Sequence, residues 1–365
     1  MKSDEYKKYL LGDVMVFKNG KKRPSGNGNI PVYGGNGILG YTNDYNNEDC
    51  IIIGRVGAYC GSVYREENKC WVSDNAICGK TKENIEYLYY LLKLLHLNKR
   101  HIGTSQPLLT QEILSKIEII LPDLKTQQRV ASILKVLDDK IALNQQINNN
   151  LEQQLFVLYD NIVSTSACFN MVMLSELCNF QEGYVNPAQT HPEYFDGQIK
   201  WLRAVDINES FIINTSRTLT RAGFESAKKS ALLFKPNTIA ISKSGTIGRL
   251  GILADYMCGN RAVINIAPHD TNMLPFIYCF LKSKQREFPD MAVGSVQKNL
   301  YVSLLEPLTV AIPESGSLNL FNTIGTSLFK IIYNKCIENE KLSRLRDVLL
   351  PKLMSGEISF GGNES

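Results

Sequence analysis

From Lys125 to about Val163 the chain contains neither glycine nor proline, and apolar side chains recur at Ile133, Leu137, Ile141, Leu151, Leu155, Leu158 and Ile162, mostly three or four residues apart. That spacing lines them along one face of a helix, as in a coiled-coil seam, with polar Asn144 and Asn148 interrupting it. A second segment, from about Leu318 to Met354, repeats the pattern with Leu328, Ile332, Leu342, Leu349 and Leu353, and carries Lys335 and Asn339 where the first carries its two asparagines. Matched polar positions inside two apolar seams predict that the helices pair with each other, antiparallel and in one register. At about 1.5 Å per residue, such a helix would span roughly 50 Å. Residues 144–150, apolar only at Ile147, are too polar for an ordinary core helix, which favours a spacer between two bodies. Off-seam Leu134, Leu143 and Phe156 are left to pack on those bodies or to dock partner helices.

Outside these segments the pattern changes to short apolar runs separated by glycine, asparagine and proline, which predicts strands and turns. In the first 124 residues the runs fall at 30–33, 50–56, 61–64 and 70–72, and Leu88, Leu91, Leu92 and Leu95 predict a helix from about Ile85 to Leu97. A second region repeats the plan, with runs at 199–202, 231–234, 238–242 and 262–266 and a helix near Pro275 to Ser283. Gly103-Thr104-Ser105-Gln106, followed by Leu109, Leu114, Ile119 and Pro122, recurs 191 residues later as Gly294-Ser295-Val296-Gln297, followed by Leu300, Leu305, Val310 and Pro313. The same offset carries on into the helices. The expected fold is α+β: two mixed α/β lobes separated by two long helices that form an antiparallel coiled coil, with a pseudo-two-fold internal repeat.

Composition narrows the possibilities only modestly. A hydrophobic content of 44% with 21% charged residues is that of globular protein. The longest apolar runs fall short of the roughly 20 residues a membrane span needs, and the first residues, Met1-Lys2-Ser3-Asp4-Glu5, hold no apolar leader, so a cytoplasmic protein without a membrane partner is expected. The net charge is +4; residues 1–125 carry 17 Lys and Arg against 14 Asp and Glu, and residues 166–313 carry 14 against 12. Such a balance permits nucleic-acid binding, with part of the affinity supplied by partner subunits. Nine cysteines include no C-x-x-C pair, and the cluster at 50, 60, 70 and 78 lacks the close pairing of zinc modules, so reduced buried thiols and no metal site are expected.

Catalytic signatures are lacking. Gly79-Lys80-Thr81 ends like a phosphate loop, but Asp74 stands where the first glycine belongs. Asn186-Pro187-Ala188 lacks the second proline and aromatic residue with which an aminomethyltransferase grips a flipped adenine. The carboxylates are scattered rather than clustered for magnesium. No cofactor is expected, and any chemistry belongs to other chains.

The sequence Leu121-Pro122-Asp123-Leu124-Lys125-Thr126-Gln127-Gln128-Arg129-Val130, opening a long helix and preceded by Gly103-x-x-Gln106, resembles the specificity subunit of type I restriction-modification systems, as does the whole layout. Residues 53–61 and 241–248, each leading toward an asparagine-bearing strand at 74–76 and 260–262, match in the same order. The second copy departs in having Ser315-Gly316-Ser317-Leu318-Asn319-Leu320 in place of the Gln-Gln-Arg opening. The resemblance implies two target-recognition domains, at 1–124 and 165–313, alternating with helical spacer regions at 125–164 and 314–356, before a flexible tail at 357–365. It further implies a non-catalytic subunit whose domains each read half of a bipartite, asymmetric target. The partners implied are double-stranded DNA, two methyltransferase (modification) subunits and, in a complete system, two restriction subunits.

Candidate DNA contacts follow from side-chain chemistry. Lys18, Lys21, Lys22 and Arg23 lie in a Gly- and Asn-rich stretch where cations can follow phosphates, or form a merely solvated turn. Arg55 with Tyr59, and Lys243 with Ser244 and Thr246, neighbour glycines that let backbone approach a partner; Arg55 or Lys243 could reach guanine or phosphate. Thr104, Ser105 and Gln106, with Ser295, Gln297 and Lys298, offer amide and hydroxyl groups suited to adenine edges, or instead fasten a loop. Arg203, Asp206 and Arg261 complete the set. The rival reading is a coiled-coil protein scaffold without DNA readout; an enzyme with unusual catalytic residues is a third.

Overall fold

The computed structural model describes residues 6–102, 107–208, 211–295 and 297–358. Its two longest elements are helices at Leu124–Thr165 (the central helix) and Ser315–Met354 (the C-terminal helix). The central helix starts on a cap: the Asp123 carboxylate accepts from the Thr126 backbone N–H at 3.0 Å and from its hydroxyl at 3.0 Å. These donors hold the Asp123 carboxyl below the usual carboxylate range. Among the described residues no helix is long and apolar enough to cross a membrane.

The chain divides into two compact units, one comprising residues up to Lys140 together with those from Leu342 onward, the other Ile141 to Lys341. Each unit therefore contains part of both long helices. In the first, β1 (Lys7–Leu10) pairs antiparallel with β8 (Glu118–Leu121). The main sheet runs in the order β2 (Met15–Asn19), β7 (Ala76–Thr81), β5 (Asn47–Gly54), β6 (Val63–Val72), β3 (Ile30–Gly34) and β4 (Gly37–Thr42). One face of it packs on the helix Ile85–Leu94, whose N-cap Asn84 accepts from the Tyr87 N–H at 2.8 Å. Leu88 and Leu92 join Ile51 and Ile53 in a core that also takes Val130, Ala131 and Leu134 of the central helix and Leu350, Leu353 and Met354 of the C-terminal helix. Each of the fully buried leucine and isoleucine side chains among them stabilises by about 1.5–3 kcal/mol. The expected strands at 61–64 and 70–72 are one strand, β6, and the expected helix to Leu97 ends at Leu94.

In the second unit β9 (Phe169–Met173) pairs antiparallel with β18 (Thr309–Pro313). The main sheet is ordered β10 (Cys178–Glu182), β17 (Val263–Pro268), β14 (Ile239–Ser242), β15 (Leu250–Leu253) and β12 (Phe211–Ile212). A smaller sheet holds β13 (Thr218–Leu219), β11 (Phe195–Leu202) and β16 (Cys258–Gly259). The run at 231–234 is not a strand: Leu232 and Leu233 are exposed and only Phe234 forms a bridge, with Met257.

The helices pack antiparallel within this unit. Asn144 Nδ2 donates to Asn339 Oδ1 at 2.8 Å and to Glu338 Oε2 at 2.9 Å, Asn148 meets Cys336 at 3.4 Å, and Leu155 lies against Gly325. Position increases along one helix as it falls along the other. Asn144 and Asn148 are both buried, so two residues of the segment read as too polar for a core lie in the buried seam, with their amide donors directed across the pair, while Gln145, Gln146, Asn149 and Asn150 are exposed. Of the expected seam residues, Leu155 and Ile332 are buried, whereas Ile133, Leu137, Ile141, Leu151, Leu158, Leu328, Leu342 and Leu349 are half-buried. Leu134 and Tyr159, one position along from Ile133 and Leu158, are deeper because each helix packs on its own sheet and helix as well as on the other long helix. In the first unit, an Arg346–Asp138 ion pair at 2.6 Å joins the two helices, and the Tyr90 hydroxyl donates to the same carboxylate at 2.8 Å.

Candidate nucleic-acid interface

In each unit, loops that flank the strands are held by the same kind of backbone frame. In the first unit, Gly20 N donates to Ala76 O (3.0 Å), Arg55 N to Asn75 O (2.9 Å), Leu109 N to Arg55 O (2.9 Å) and Ser73 N to Tyr33 O (2.9 Å). In the second, Gly183 N donates to Val263 O (2.9 Å), Lys243 N to Ala262 O (2.7 Å), Leu300 N to Lys243 O (2.9 Å) and Asn260 N to Leu202 O (3.0 Å). Gly20 corresponds to Gly183, Arg55 to Lys243 and Ser73 to Asn260. Both glycines are dictated by close approach: a Cβ at Gly20 would lie 1.9 Å from Ser73 O, and one at Gly183 would lie 2.2 Å from Asn260 O. The frame pairs Asp74 with Arg261, one position off the alignment that matches residues 74–76 to 260–262 directly.

The frame carries different chemistry in the two units. Lys243 is nearly buried, its ammonium 2.8 Å from Glu182 Oε2 and 4.7 Å from the Tyr301 ring centroid. Glu182 also accepts from the Tyr184 hydroxyl at 2.9 Å, which raises the pKa of that phenol. The residue before Gly20 is Asn19, so Arg55 has no corresponding acid; its Nη1 lies 3.5 Å from Asp74 O, and among the described residues no carboxylate pairs with it. Its Nε is buried without a partner.

A profile described as "Type I restriction modification DNA specificity domain" matches residues 3–153 and 168–345. The chain belongs to this family. The HindI specificity subunit of a type I restriction enzyme from Haemophilus influenzae is 24% identical over 330 residues, covering 69% of this chain and 71% of that protein. The MjaIX specificity subunit from Methanocaldococcus jannaschii is 25% identical over 300 residues, covering 75% and 69%. A crystal structure of a type I restriction-modification system S subunit from M. genitalium covers 97% of each chain with a TM-score of 0.58 at 18% identity, a likeness of fold.

In this specificity-family chain, the candidate residues fall into exposed and engaged sets. Lys18 is exposed on β2 rather than in a loop, and Lys21, Lys22 and Arg23 are exposed beyond it, with Lys21 tied by its backbone to Val72 O. Tyr59, Thr246, Arg261, Ser295, Gln297 and Lys298 are exposed, and Ser244 is half-buried. Thr104, Ser105 and Gln106 lie outside the described residues. Asp206 is engaged: it accepts from Arg203 N (2.9 Å), from Ser216 N (2.8 Å) and from the Ser216 hydroxyl. Arg203 in turn donates from Nη2 to Ser216 Oγ.

Sequence reading missed Arg217. Its guanidinium lies 4.0 Å from the Phe195 ring centroid and 5.9 Å from that of Trp201, and Nη1 donates to Gln189 Oε1 at 2.8 Å. Phe195 and Trp201 are on β11, and Arg217 directly precedes β13, so strand pairing brings together residues 16 to 22 positions apart. An arginine in a turn carries no local pattern that announces such a neighbour. The cysteines at 50, 70 and 78 share one small core cluster in β5, β6 and β7, with Cys50 and Cys70 sulfurs 3.7 Å apart.

Proposed function

We propose that the chain is the non-catalytic DNA-sequence specificity subunit of a type I restriction-modification complex, each unit's loop end reading one half of a bipartite, asymmetric target. The observation that carries this reading is one backbone frame used twice with different side chains, within a chain of the DNA specificity family. The exposed Lys22, Arg23, Arg261 and Lys298 contact phosphates and fix position, while Tyr59, Thr246, Ser295 and Gln297 lie on loops available to base edges. Lys243 and Asp206 hold those loops in place. The long helices set the number of unread base pairs and dock the methyltransferase subunits; a complete system adds restriction subunits. A complex with this task works in the cytoplasm, where bacterial and archaeal DNA lies.

The test is binding of duplex DNA by the complex with its methyltransferase subunit, measured across salt concentrations. Specific duplexes should bind about a thousandfold or more tighter than unrelated ones, with affinity falling steeply as salt rises. A stable complex indifferent to DNA sequence would favour the scaffold reading.

A further inference from the structure

We propose that Arg217 reads a guanine in the half-site addressed by the second unit, an assignment that rests on the DNA-specificity reading above. An arginine that reads guanine must present its planar fork in one orientation, so that two N–H groups meet O6 and N7 together. Arg217 is set up in this way. Its guanidinium lies over the Phe195 ring, with Trp201 beside it. Its backbone carbonyl accepts from Trp201 N at 3.3 Å and from the Thr215 hydroxyl at 2.8 Å, anchoring the turn to β11. Of the five guanidinium donors, one side is met by the neutral amide of Gln189 at 2.8 Å, and among the described residues no carboxylate neutralises the charge. A neutral partner orients the cation and leaves it attractive to an acceptor. Arg203 lies 5.5 Å from the same indole ring but is ion-paired with Asp206, its Nε 3.7 Å from Oδ2, and that carboxylate also accepts from Arg203 N and from Ser216. The Arg217 guanidinium is therefore held over an aromatic ring with its charge unmatched by a carboxylate among the described residues, which distinguishes it from the exposed Lys22 and Arg23, cations suited to phosphates.

The experiment is target selection from a duplex library randomised in both half-sites, using the complex with the methyltransferase subunit, for the unaltered chain, Arg217→Gln and Arg217→Lys. Arg217→Lys keeps the charge and supplies the comparison if Arg217→Gln fails to fold. Both variants should lose the preference for guanine at one position of one half-site and bind the original target roughly 10- to 100-fold more weakly. The other half-site and the spacing should remain unchanged. Equal weakening on every duplex, with a shallower salt dependence, would make Arg217 a phosphate contact and overturn the assignment; an unaltered motif would also overturn it. If the unaltered chain selects no motif, the specificity reading itself fails, and this assignment with it.

Discussion

The two units answer the same structural question with different residues. Both fasten loops at strand ends by equivalent backbone bonds, and both need a glycine where a carbonyl comes within about 2 Å of the missing Cβ. At the central loop, however, one unit has Arg55 opposite Asn19 and the other has Lys243 opposite Glu182. Among the described residues the first cation has no acidic partner; the second is paired with a carboxylate on the protein. The comparison teaches that the frame is conserved within the molecule by backbone geometry, whereas side chains on it are at liberty to differ, as reading two unlike half-sites requires.

The largest test of the comparison concerns the cores. Leu134→Ala and Leu155→Ala each remove a fully buried side chain from a different unit, and each should cost about 3 kcal/mol. Hydrogen exchange should quicken mainly in the altered unit; equal acceleration in both would mean that they unfold as one. Next comes the loop pair. Lys243→Ala strands the half-buried Glu182 carboxylate and should cost about 2 kcal/mol, read as a lower thermal midpoint. Arg55→Ala breaks no ion pair among the described residues and should cost roughly 1 kcal/mol or less. Equal losses would erase the electrostatic distinction between the two loops.

A comparably small effect lies at the helix starts. Asp123→Ala removes the cap of the central helix and should cost about 1 kcal/mol at neutral pH. Because the folded protein holds this carboxyl below its ordinary pKa, its contribution is present above the unfolded value near 4 and is lost as pH falls through the lowered one. Denaturant midpoints of variant and parent should therefore converge in acid; a difference undiminished at the lowest pH would argue against the carboxylate cap. The C-terminal helix begins at Ser315, without the Asp-x-x-Thr sequence.

The long helices were legible because their period persists for some ten turns, and the duplication because its offset is constant. The precise seam was not: Ile133 and Leu158 satisfy the period, yet Leu134 and Tyr159 are buried deeper, since tertiary contacts on a second face rotate the buried stripe. Polar Asn144 and Asn148 read as a break in the core because periodicity counts apolar residues and cannot foresee an amide N–H that donates to the facing helix. The strand β4 was overlooked, and β7 was recognised only at its start, for a related reason. Gly37 and Gly40 in one and Gly79 in the other resemble turn punctuation, although pairing to β3 and to β2 and β5 makes them strand residues. At the candidate interface, glycines and cations marked the loops proposed in the sequence, but the ion pair that occupies Lys243 and the aromatic ledge under Arg217 depend on strand register.

The most direct test of the account is a domain exchange read in DNA. The chain, co-expressed with its methyltransferase subunit, should place N6-methyladenine in a new split motif of the host genome, detected by single-molecule sequencing. Replacing residues Val172 to Pro313 with the corresponding segment of another family member should change one half of that motif and leave the other half intact. Retention of the whole motif after the exchange, or absence of any motif from a stable complex, would contradict the assignment of one half-site to each unit.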